Sequence, residues 1–231
     1  MNENNTAFGA VIVSMINAAS LIGCPMAAPF ISAFNPLLQR VLERGFTMFH
    51  PESTVIVKCA RLGIAYESAV NTINNHFEQG DSLREDGFFD AINDSNYTEA
   101  DEIIEATLNN VIDDAETLKS RVYGNFIGSI PFLKGYSASQ LISLNSILRQ
   151  LTIEDIENLK MFRDMMPHDF FGLEVQVKNG GSEVDTLKYT SLMHLKNLGL
   201  IYRVAPFRLG MDLQNAKATL IGKVILDFID S

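Results

Sequence analysis

The sequence predicts a mainly α-helical chain that ends in a small α+β domain, and three observations support this. Apolar residues recur at helical spacing along most of the 231 residues. Thr and Ser stand where helices would start, and Gly and Pro stand where they would stop. Only beyond Pro167 does alternation replace that period. The predicted organisation is a multi-helix domain over residues 1–150, built around a buried apolar N-terminal helix, and a smaller domain over residues 151–231.

The first stretch, TAFGAVIVSMINAASLIGCPMAAPF (Thr6–Phe30), has no charged residue, and the uncharged run around it extends from Asn4 to Gln39. Phe8, Val11, Ile12, Met15, Ile16 and Leu21 supply its large apolar side chains, Gly23 a C-cap and Pro25 a stop. At 1.5 Å per residue, Phe8–Ile22 would form a helix about 22 Å long, short of a hydrocarbon core of about 30 Å. A hairpin through Gly23-Cys24-Pro25 would bury Ser14, Asn17 and Ser20 in lipid, which tolerates unpaired polar groups poorly. A protein-buried helix is the expectation, and conditional release to a membrane is the alternative use of the same side chains.

Pro36 and Gly45 bracket a second helix. After Pro51, STVIVKCARLGIAYESAVNTINNHF reads as a helix with Val57, Ala60, Ile64, Ala69, Val70, Ile73 and Phe77 as its apolar positions. The β-branched Val55–Val57 leaves a short strand open at its start. Gly80 and Gly87 bracket a polar connection. Thr98 caps the next helix, with Asp101 at capping-box spacing. Ile103, Ile104, Leu108, Val111, Ile112, Ala115 and Leu118 form its stripe, and KSRVYGNFIGS continues it to about Gly128. Ser137 caps a helix carrying Leu141, Leu144, Ile147 and Leu148. Thr152 caps another carrying Ile156, Leu159, Phe162 and Met165. FGLEVQV then alternates as a strand, and Asn179-Gly180-Gly181-Ser182 turns. TLKYTSLMHLKNLG is helical with Leu192, Leu195 and Leu198 inward, LIYRVAPF and KAT are strands, and Thr219 caps a last helix.

A net charge of -10 argues against coating nucleic acid or anionic lipid through bulk charge. Between Glu78 and Glu116 stand thirteen acidic residues and one basic residue, Arg84, and the amphipathic pattern turns the acids toward water. A divalent ion would need Asp113, Asp114 and Glu116 to converge with Asp90 or Asp94, and nothing in the spacing sets that convergence. Cys24 and Cys59 have no CxxC spacing and read as reduced core thiols. Glu3, with no basic residue before the apolar run, is the wrong preface for a secretory signal, so a cytoplasmic protein is expected. No catalytic or phosphate-binding motif occurs, and His50, His76, His168 and His194 lack metal-ligand spacing. The expectation is a non-enzymatic protein with no cofactor.

YTSLMHLKNLGLIYRV, followed by KATLIGKVILDFI, resembles the second half of a winged-helix domain, and the resemblance covers about residues 152–231. Leu198-Gly199-Leu200-Ile201 stands where such a domain leaves its helix for a two-stranded wing, and Thr219 where the helix behind the wing begins. A DNA-binding use would place the Tyr189–Asn197 helix in the major groove, with Lys188, His194 and Lys196 near phosphates or bases and Arg203 and Arg208 toward the wing. The balance over residues 176–231 is only seven Lys or Arg against five Asp or Glu, without an Arg or Gln array for base readout. Packing and protein contacts are the favoured reading, and a DNA-binding transcriptional regulator is the alternative. Residues 84–166, with Lys119/Arg121-Gly124-Asn125 at the centre, resemble a loose group of bacterial helical proteins, some associated with phage defence. That resemblance implies a bacterial protein with a protein partner or self-association, in a defence setting.

Overall fold

Two glycines set how closely the first helices pack. A computed structural model describes residues 52–90, 98–163, 168–204 and 215–230. It contains α1 (Glu52–Glu78), α2 (Glu99–Asp113), α3 (Lys119–Ser129), a 3-10 turn (Ile130–Phe132) and α4 (Ala138–Gln150). A β-carbon on Gly124 would stand 2.1 Å from the Ala65 carbonyl oxygen, and one on Gly128 2.5 Å from that of Ala69. The two backbones therefore approach where only hydrogen fits. Thr72 donates to Asn125 within this seam at 3.2 Å. Leu62, Ile103, Leu108, Phe126, Ile130 and Leu141, all fully buried, fill the surrounding core. The β-branched start of α1 is helical, which resolves the strand left open there.

The chain divides into two compact units, one ending at Arg149 and one over Gln150–Asp230. The protein is mainly helical, and among the described residues no helix is long and apolar enough to cross a membrane. Residues 1–51, including Phe8, Val11, Ile12, Met15, Ile16 and Leu21, lie outside the described residues.

The single long helix expected from Thr98 to Gly128 is two. Thr98 and Asp101 do form a reciprocal capping box, but the helix ends at Asp114 (φ -68°, ψ 136°). Side chains supply what the next helical turn would have supplied. The Arg61 guanidinium donates to the Ile112 and Ala115 carbonyls at 3.3 and 3.1 Å and to the Thr117 hydroxyl at 3.2 Å. Asp114 accepts from the Glu116 amide and the Tyr123 hydroxyl, both at 2.9 Å, and pairs with the buried Lys119 ammonium at 2.5 Å. Burial works to raise the Asp114 carboxyl, but Lys119 and these donors outweigh it and hold the group below its ordinary range. Ala115 and Leu118, expected on the inward stripe, are exposed, Leu118 by 73%.

The second unit runs α5 (Ile153–Lys160), β1 (His168–Asp169), α6 (Phe170–Lys178), α7 (Glu183–Asn197), β2 (Ile201–Val204), β3 (Asn215–Ala218) and α8 (Leu220–Asp230). Its antiparallel sheet has the order β1-β3-β2, with Ile201 opposite Ala218 and His168 opposite Ala216. FGLEVQV, expected as a strand, is helical. Leu173, Glu174 and Val177 are half-buried while Val175, Gln176 and Lys178 are exposed, a helical period that short alternation had masked. Lys178 and Glu174 close an i, i+4 pair at 2.8 Å on the same helix. Gly199 takes φ 72° at the exit of α7, where an L side chain would be strained. Thr219 then ties two elements: its hydroxyl donates to the Gly199 carbonyl at 2.7 Å and accepts from the Gly222 amide at 3.0 Å. Ile225, Leu226 and Phe228 bury the inner face of α8.

Candidate functional site

A buried polar cluster of the second unit begins as a helix cap. Thr152 opens α5 and its hydroxyl accepts from the Asp155 amide at 3.1 Å, while Asp155 Oδ2 accepts from the Thr152 amide at 2.9 Å. This carboxylate is only 2% exposed and has further donors. From α7, the Ser191 hydroxyl donates to Oδ1 at 2.7 Å, and His194 Nδ1 stands 2.8 Å from Oδ2. Asn158 of α5 donates to Ser191 Oγ at 2.9 Å. One ionised group thus joins the two helices. Burial works to raise the Asp155 carboxyl, but the Thr152 amide, the Ser191 hydroxyl and His194 outweigh it and hold the group below its ordinary range.

Asp, His and Ser within one cluster invite comparison with a nucleophilic triad. The wiring differs, because a triad needs the serine proton directed at the imidazole. Here Ser191 gives its proton to Asp155 and is itself buried. An ionised carboxylate only accepts, so His194 Nδ1 is the donor, and nothing in this geometry activates Ser191 Oγ. The cluster holds α7 in place on α5.

Of the predicted contact residues, His194 is therefore engaged with Asp155, and its side chain remains 37% exposed. Lys188 is half-buried and precedes Leu192 and Leu195 by four and seven residues, on their side of the helix. Lys196 is half-buried in the last turn, where a cation suits the helix C-terminus. Arg203 pairs through its backbone with Ala216. Arg208 lies outside the described residues. The exposed residues of α7 are Glu183, Val184, Thr186, Leu187, Thr190 and Asn197, without a cation. Val184 and Leu187 are 72% and 65% exposed. Tyr202 on β2 and Leu220 and Ile221 at the start of α8 are also exposed apolar side chains.

Among the described residues no group of three or more His, Cys, Asp or Glu could hold a metal ion. Asp113 is exposed and Asp114 is held by Lys119 and Tyr123, while Asp94 lies outside the described residues. The Asp155 cluster joins residues 39 apart in sequence, so only the cap at Thr152 was readable beforehand. Comparison with protein-family models, curated proteins and solved structures finds no match to this chain.

Proposed function

We propose that this chain is a non-enzymatic protein that acts through protein contacts, made on the outward face of α7 in a winged-helix-like second unit. The winged-helix reading is supported by the order helix, strand, two helices and two antiparallel strands, with the first strand added beside β3. One observation carries the choice of partner. The exposed side of α7, the helix that would enter a DNA groove, carries Glu183, Thr, Asn and large apolar side chains without Lys or Arg. Phosphate contacts supply most of the affinity in DNA binding, and base readout favours Arg, Lys, Asn or Gln, of which this face offers Asn197 alone. Exposed Val184 and Leu187 instead suit the apolar centre of a protein interface. The wiring of Ser191 to Asp155 supports a non-catalytic role for the cluster behind it.

The resemblance of residues 84–166 to helical proteins associated with phage defence extends the proposal to a bacterial defence setting. In that setting the N-terminal apolar segment is released to a membrane on a partner signal. Liposome flotation and leakage with and without residues 1–30 test this part, and equal behaviour of the two forms removes it.

A DNA-binding regulator is the competing reading, and a filter-binding titration of the full chain across salt separates the two. The expected result is no salt-dependent affinity for duplex DNA. A steep fall of affinity with salt, abolished by Lys188→Glu with Lys196→Glu, would replace the protein-contact reading with the DNA one.

A further inference from the structure

We draw no further inference here: the strongest candidate, the exposed apolar patch that Val184 and Leu187 form on α7, belongs to the face already described, and nothing in the structure shows which partner covers it.

Discussion

Replacing Asp155 by Asn removes the charge that joins α5 to α7 while keeping the shape of the side chain. The Thr152 amide and the Ser191 hydroxyl then lose an ionised acceptor at 2.9 and 2.7 Å. Hydrogen bonds to charged groups are worth about 1.5–3 kcal/mol, and a neutral amide recovers part of that, so each of these two contacts loses about 1–2 kcal/mol. The His194 contact adds less than about 1 kcal/mol, because the imidazole is 37% exposed and water screens it. The expected total is about 3 kcal/mol. Hydrogen exchange of α5 and α7 amides in the full-length protein reads this directly, as a fall in protection of about a hundredfold. His194→Ala is expected to lower protection less than about fivefold. Protection in Asp155→Asn within threefold of the parent, or a larger loss in His194→Ala, would refute the account of Asp155 as the anchor. The pH dependence has a defined sign. The folded carboxyl sits below its unfolded value of about 3.9, so the unfolded chain binds more protons on acidification. The stabilisation is therefore complete above about pH 5 and is lost as pH falls through the folded value.

Other perturbations test the packing. Gly124→Ala and Gly128→Ala force a β-carbon against the Ala65 and Ala69 carbonyls and should each cost at least about 2 kcal/mol in urea unfolding. Gly63→Ala, also within α1 but with nothing within 4 Å of the added carbon, should be neutral or stabilising by up to about 1 kcal/mol. Asp114→Asn leaves Lys119, 3% exposed, without its counter-charge and should destabilise the first unit by about 3 kcal/mol on the same assay. Leu118→Asp should change stability by less than about 0.5 kcal/mol, since the side chain is 73% exposed; a large loss would mean that Leu118 belongs to the core stripe.

Helix starts were the most legible part of the fold because a cap is a local chemical event. Thr98, Ser137, Thr152 and Thr219 each bond the backbone of the helix they precede, as their spacing to the following residues implies. The break at Asp114 was illegible for the opposite reason. Its causes are Arg61, distant in sequence, and Lys119, whose apolar neighbours Ala115 and Leu118 continue a helical stripe that the chain does not follow. The strand expected at FGLEVQV failed because five alternating residues also satisfy an i, i+4 period, and packing decides between them. Within the candidate site, the cap at Thr152 was visible, whereas the tie from Asp155 to Ser191 and His194 exists only once α5 and α7 pack.

Photo-crosslinking tests the central claim most directly. A photoreactive residue at position 187, on the exposed face of α7, is irradiated in cells that express the full-length protein, with the buried position 195 as control. The account predicts covalent adducts with polypeptide at position 187 that are absent at position 195 and are lost when Val184 is changed to Asp. Adducts with nucleic acid at position 187, or yields equal at the two positions, would contradict it.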